Sequence, residues 1–141
     1  MYLAVATLLD IMHSVVFLSQ FNTSYGKEHW NAAKRIVKYP KNTIDLCLVY
    51  SKGDFNITGF VDADWSSNAL DRKSFTGYLF KLNNSIITWK TQKQKTVALS
   101  SAEAEYMALS EGCKELIFLK NLLSELGLVP KLKIFNDNHS N

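Results

Sequence analysis

Three acidic side chains stand where carboxylates are costly. Asp62 interrupts a strand-like stretch that is otherwise apolar, Asp137 closes a second such stretch, and Glu105 lies in the longest helical pattern of the chain. At about 100° per residue, Leu109, Leu116, Leu119 and Leu123 all fall within about 40° of Glu105, so the carboxylate projects from the core-facing stripe. Glu103 points about 160° away and belongs to solvent and to the helix cap. A carboxylate on a buried stripe costs several kcal/mol unless something compensates it. No Arg or Lys is placed there, and the economical partner is a divalent cation shared with Asp62 and Asp137. Mg²⁺, or Mn²⁺ in its place, takes oxygen ligands of this kind. Two such ions about 4 Å apart are suited to phosphodiester hydrolysis. The competing reading is that Glu105 snorkels to water from the first turn of the helix. Asp64 shares a strand face with Asp62 and competes with it, but is followed at once by the turn-like Trp65-Ser66-Ser67-Asn68.

The elements that would position these groups follow from periodicity. Ile57, Gly59, Val61 and Ala63 alternate with Thr58, Phe60, Asp62 and Asp64 in a first strand. Ser74 to Leu82 and Ile86 to Thr91 read as a hairpin closed at Asn83-Asn84, with Thr96 to Leu99 extending or following it. Ser100, with Glu103 three residues on, opens a helix that runs to about Leu126 and stops at Gly127 and Pro130. Leu132 to Asp137 forms a last strand. A strand, a crossover helix and a returning strand imply parallel pairing, which makes the first and fourth strands neighbours at the centre of the sheet. Upstream, residues 1 to 39 read as two helices joined by Asn22-Thr23-Ser24-Tyr25-Gly26. A strand from Ile44 to Tyr50 follows, and the turn Ser51-Lys52-Gly53-Asp54 marks a boundary between 1–54 and 55–141.

Composition excludes several classes. The chain has 141 residues, 47% hydrophobic and 21% charged, with a formal charge of +3, which fits a globular domain rather than a disordered tract. Cys47 and Cys113 lie far apart without histidine beside them, so neither a disulfide framework nor a zinc site is expected, and an intracellular setting fits. The apolar start lacks a basic flank and is broken by Asp10 and His13, against a signal peptide or a membrane span. No phosphate-binding loop, zincin motif or nucleophile elbow is present. Arg72, Lys73, Lys90, Lys93 and Lys95 fall in a stretch without acids and are candidates to track a phosphate backbone. Lysines on an exposed edge strand also discourage aggregation, so that reading stays open. Trp65 and Trp89 read as hairpin or core residues before base-stacking ones.

Gly59-Phe60-Val61-Asp62-Ala63-Asp64-Trp65, Asp71-Arg72-Lys73-Ser74-Phe75-Thr76-Gly77-Tyr78 and the run from Lys93 to Tyr106 closely resemble the ribonuclease H region of copia-type retrotransposon Pol polyproteins. Tyr2 to Thr7, Lys27-Glu28-His29-Trp30 and Thr43 to Leu46 resemble the end of the reverse transcriptase of the same polyproteins. The resemblance implies a fold class: an α/β, ribonuclease H-like mixed sheet, truncated, preceded by a small α+β remnant of reverse transcriptase over 1–54. It maps the metal-binding, catalytic carboxylates onto Asp62, Glu105 and Asp137. The partners it implies are an RNA-DNA hybrid, whose RNA strand is cut, and the remainder of the Pol polyprotein, with no membrane. The implied location is cytoplasmic, within virus-like particles, or nuclear. Departures are Leu8-Leu9-Asp10 for the usual Arg-Pro-Asp, Pro40 at a helix end, and no counterpart of the further helix, fifth strand and fourth acidic ligand of the family. Weak activity, or a catalytically inactive relic that at most binds nucleic acid, is the alternative expectation.

Overall fold

The computed structural model describes residues 2–53, 55–66, 68 and 70–136. The chain divides into two units, 1–48 and 49–141.

In the first unit the predicted leading helix is split. Helix α1 (Tyr2–Ala6) ends where the Leu3 carbonyl accepts from the N–H groups of both Thr7 and Leu8, at 2.9 and 3.0 Å, and from the Thr7 hydroxyl at 3.0 Å, which widens the last turn. A 3-10 turn at Leu9–Ile11 leads into α2 (Met12–Ser19). Helix α3 (Lys27–Lys38) starts at Gly26, whose N–H donates to His29 Nδ1 at 2.9 Å, with the imidazole stacked on Phe21 at 4.1 Å. Pro40 does not stop the chain at once, because a proline in the first turn of a new 3-10 helix (Tyr39–Asn42) lacks only an N–H that would be unsatisfied anyway. An apolar groove lined by Leu18, Phe21, Trp30 and Val37 runs between α2 and α3. The strand expected at Ile44 to Tyr50 does not form. No ladder partner is offered to it among the described residues, and its β-favouring side chains stay mostly exposed.

The second unit is a mixed sheet with one long helix. Strands β1 (Asn56–Asp64), β2 (Phe75–Leu82), β3 (Ser85–Lys93) and β4 (Lys131–Asn136) lie in the order β3-β2-β1-β4. The pairs β1/β2 and β2/β3 are antiparallel, whereas β1/β4 is parallel. β1 and β4 are neighbours as expected, with β4 at the edge of the described sheet rather than at its centre. Thr96 to Leu99 is irregular and adds nothing to β3. Asn83 closes the β2–β3 hairpin with φ 57°, a conformation asparagine tolerates.

The crossover is α4 (Ser101–Glu125). The Glu103 N–H donates to Ser100 Oγ at 3.1 Å, and the Glu103 carboxylate reaches one residue further back than expected, accepting from the Leu99 N–H at 2.6 Å. At the other end Gly127 adopts φ 75°, while the N–H groups of Gly127 and Leu128 donate to the carbonyls of Ser124 and Leu123, the reciprocal pattern of a left-handed helix stop. α4 covers one face of the sheet, where Ile57, Val61, Tyr78, Phe80, Ala108 and Leu119 form the core. The helix comes close because its contact residues are small: a Cβ added at Gly112 would lie 2.5 Å from Val61 Cγ2. Three antiparallel strands, a crossover helix and a parallel fourth strand make this unit a ribonuclease H-like α/β fold.

Candidate active site

β1 alternates, so Ile57, Gly59 and Val61 are buried toward α4 while Phe60, Asp62 and Asp64 are exposed on the opposite face. Asp62 therefore occupies the solvent side near the C-terminal end of its strand. The deeper burial that the surrounding apolar run suggests does not occur: alternation, not the run, sets its exposure. Glu105 is half-buried. The fully covered positions of α4 are Ala104, Ala108, Gly112 and Leu119, which places the centre of the buried stripe about 50° from Glu105. Leucines weigh heavily in a helical projection, but where a helix presses on a strand the small residues mark the contact line.

The partner of Glu105 is neutral. Asn136 Nδ2 donates to Glu105 Oε2 at 2.9 Å and approaches the Val61 carbonyl oxygen at 3.4 Å. That carbonyl belongs to the peptide group leading into Asp62, and the β1/β4 register sets Val61 opposite Asn136. One amide side chain thus holds the helix carboxylate at the strand ends where Asp62 follows in β1. A cation is not needed to compensate Glu105 in the resting protein, because a hydrogen bond to a carboxylate supplies about 1.5–3 kcal/mol. Asp137, the third predicted carboxylate, lies outside the described residues. Among the described residues neither Asp62 nor Glu105 is ion-paired, and no cluster of three or more metal-ligating side chains is found.

Gln94 braces the start of α4. It is 6% exposed, and its Nε2 donates to Thr76 Oγ1 at 3.1 Å and to the Ala104 carbonyl at 3.0 Å, tying β2 to the turn that carries Glu105. Among the described residues its Oε1 is buried without a partner. Trp65, beyond the end of β1, points its Nε1–H at the Ala98 carbonyl at 3.4 Å, a structural role. Further along α4, Glu115 accepts from the Tyr78 hydroxyl at 3.2 Å and from Thr88 Oγ1 at 3.1 Å. Burial, then the neighbouring Glu115 charge, raises the Tyr78 phenol well above its ordinary value.

The five basic candidates do not share one surface. Lys90 is paired across from Tyr78, and Lys93 from Phe75, so the two point to opposite faces of β3. Lys93 Nζ forms an ion pair with Asp71 at 2.7 Å, and this hydrogen-bonded contact, countered in part by desolvation, lowers the Asp71 pKa. Arg72, held at φ 56° with its N–H donating to the Asn68 carbonyl at 2.7 Å, and Lys95 are exposed, while Lys73 is half-buried.

The strand order and the crossover helix define a ribonuclease H-like α/β unit. The chain is 46% identical over 131 residues to the retrovirus-related Pol polyprotein from transposon TNT 1-94 of Nicotiana tabacum, an alignment covering 93% of this chain and 10% of that protein. It is 44% identical over 120 residues to the secreted RxLR effector protein 161 of Plasmopara viticola, covering 84% of each. A third relative, the Pol polyprotein from transposon RE2 of Arabidopsis thaliana, is 38% identical over 84% of this chain and 8% of that protein. The chain belongs to the family of copia-type retrotransposon Pol polyproteins, and it spans about a tenth of the length of the tobacco relative. No protein-family model and no solved structure matches it. No helix among the described residues is long and apolar enough to cross a membrane.

Proposed function

We propose that this chain carries the ribonuclease H activity of a copia-type Pol polyprotein, hydrolysing the RNA strand of an RNA-DNA hybrid, with the end of the reverse transcriptase in residues 1–54 and the remainder of the polyprotein as its partner. The observation that carries the reading is the Asn136 clamp, which keeps the Glu105 carboxylate at the Val61–Asp62 peptide group. The donor set suits a hard divalent cation: Asp62 and Glu105 offer carboxylate oxygens, neither is ion-paired among the described residues, and the Asn136 amide donates to Oε2 of Glu105. Asp62, Glu105 and Asp137 would hold Mg²⁺ or Mn²⁺, which when bound activates water and stabilises the leaving oxygen. The protein's own part is to fix these oxygens at the strand ends and to steer the phosphate backbone with Arg72, Lys73 and Lys95, with smaller contributions from Lys90 and Lys93. The site would then act in the cytoplasm, in virus-like particles or in the nucleus, wherever the hybrid is made.

The test is cleavage of an end-labelled RNA-DNA hybrid by the 141-residue chain in Mg²⁺, beside Asp62→Asn and Glu105→Gln. Scission of the RNA strand, reduced at least about 100-fold in either variant, is the expected result. Binding of the hybrid without cleavage by any of the three favours a second reading, a non-catalytic module that holds nucleic acid. That reading draws support from the Plasmopara relative, which is largely coextensive with this chain and bears an effector's name rather than a polyprotein's.

A further inference from the structure

Two amide side chains grip the peptide groups that carry Asp62 and Glu105. Asn136 reaches the Val61 carbonyl, which leads into Asp62. The second is Gln94, one residue past β3 and buried beneath the start of α4. Its Nε2 donates at 3.0 Å to the Ala104 carbonyl, which leads into Glu105, and at 3.1 Å to Thr76 Oγ1. Thr76 is paired with Ala63, the residue between Asp62 and Asp64. The Gln94 backbone N–H donates to the Ser74 carbonyl at 2.8 Å, and the Ser74 hydroxyl accepts from the Ser66 N–H at 3.1 Å. One side chain and its peptide thus join the first turn of α4, the strand beside Asp62, and the loop that bears Arg72 and Lys73.

Packing alone does not ask for an amide at this position. Thr76 and Ala104 are buried with Gln94, and a helical carbonyl such as that of Ala104 has its own partner in the N–H four residues on. A carbonyl only accepts, so the NH₂ group must face Ala104 and the orientation of the amide is fixed. Its Oε1 is left buried with no partner among the described residues, a cost that an apolar side chain of equal length would not carry. What the amide supplies instead is direction, because both of its hydrogens are committed and the first turn of α4 is held at one place against β2. We propose that Gln94 is a positioning residue for the metal-binding carboxylates, an inference that rests on the nuclease reading for its effect on catalysis. Gln94 sets the distance of Glu105 from Asp62 through the backbone, while Asn136 orients the Glu105 carboxylate itself. The spacing matters because Mg²⁺ accepts little departure from octahedral geometry with oxygens at about 2.0–2.1 Å.

Two measurements on the full chain test it together: Mn²⁺ affinity without nucleic acid, read from the free-ion signal in electron paramagnetic resonance, and kcat on a saturating RNA-DNA hybrid in Mg²⁺. Gln94→Met is expected to weaken Mn²⁺ binding and to lower kcat, each about 10–100-fold. Hybrid affinity without divalent ions should stay within about threefold of wild type, since phosphate contacts set it. Thr76→Val, the milder change should Gln94→Met not fold, is expected to weaken Mn²⁺ binding at least about threefold, and Thr76→Ser to restore it. Mn²⁺ binding and kcat unchanged in Gln94→Met and Thr76→Val overturn the proposal and leave the nuclease reading standing. So does a loss confined to the thermal midpoint, or shared equally by hybrid affinity, which makes Gln94 a brace of the fold alone. A wild-type chain that binds Mn²⁺ but leaves the hybrid whole overturns the nuclease reading, and the Mn²⁺ affinities of the variants then decide the role of Gln94 by themselves. A wild type that neither binds Mn²⁺ nor cleaves overturns both.

Discussion

Asn136 is the residue on which the candidate site turns. It sits one position before a predicted ligand and holds another, so Asn136→Ala removes a charge-assisted hydrogen bond from Glu105 without touching a carboxylate. We expect a loss of about 1–2 kcal/mol in chemical denaturation and a larger fractional loss of Mg²⁺-dependent cleavage than of hybrid binding. Neither partner of that bond announces the other in the sequence. Glu105 could be placed on its helix to within about 50° from periodicity, but the reach of Asn136 follows from the β1/β4 register, which residue types alone do not supply. The lysines show the converse failure: Lys90 and Lys93 are near in the chain but sit on opposite faces of the strand, and Lys93 is already engaged by Asp71. Lys93→Ala is accordingly expected to weaken hybrid binding less than Lys95→Ala, measured by fluorescence anisotropy at two salt concentrations. Tyr78 sets a pH effect whose sign is fixed by its raised pKa. The unfolded phenol ionises near pH 10 while the folded one keeps its proton, so the contribution is complete below pH 10 and falls above it by up to about 1.4 kcal/mol per pH unit. Denaturation of wild type and Tyr78→Phe between pH 9 and 11 should show the steeper decline in wild type.

Helix α4 succeeds as an element because signals at three levels agree. Ser100 caps it, Gly127 stops it, and its small residues meet β1, which is why its limits were legible to within a residue or so. Where only one signal was present, the sequence misled. Ile44 to Tyr50 has strand composition but no partner strand among the described residues, and the long leading helix is broken after Ala6, where the Leu3 carbonyl accepts from the N–H groups of both Thr7 and Leu8, a change of pitch that a hydrophobic count does not weigh. Gly112 offers the direct test at this scale. Its replacement by alanine drives a methyl group into Val61 and should cost about 1–3 kcal/mol, lowering the thermal midpoint by several degrees without loss of helical circular dichroism. Ser100→Ala should cost about 1 kcal/mol through the lost cap, and these two changes, roughly 18 Å apart along the helix, should be nearly additive.

At the scale of the molecule, the irregular segment between Thr43 and Gly53 carries exposed side chains and few bonds, chiefly those of Tyr50 and Val49 to the β3 end of the hairpin. Limited trypsin digestion should cut at Lys52 well before any lysine of β2 or β3, leaving a protected C-terminal fragment visible by mass spectrometry. The topology was legible here because strand, helix and returning strand permit few arrangements, whereas the pairing of particular residues across the strands emerged only from the registers. The parallel pairing of β1 with β4 also bears on biosynthesis. β2 and β3 can zip onto β1 as soon as they leave the ribosome, but the other margin of β1 stays open until residues 131–136 have been made and threaded back past the crossover. Throughout that interval the nascent chain displays an unsatisfied hydrogen-bonding edge, so slow translation between the hairpin and residue 136 would expose it to chaperones and to its own neighbours on the polysome.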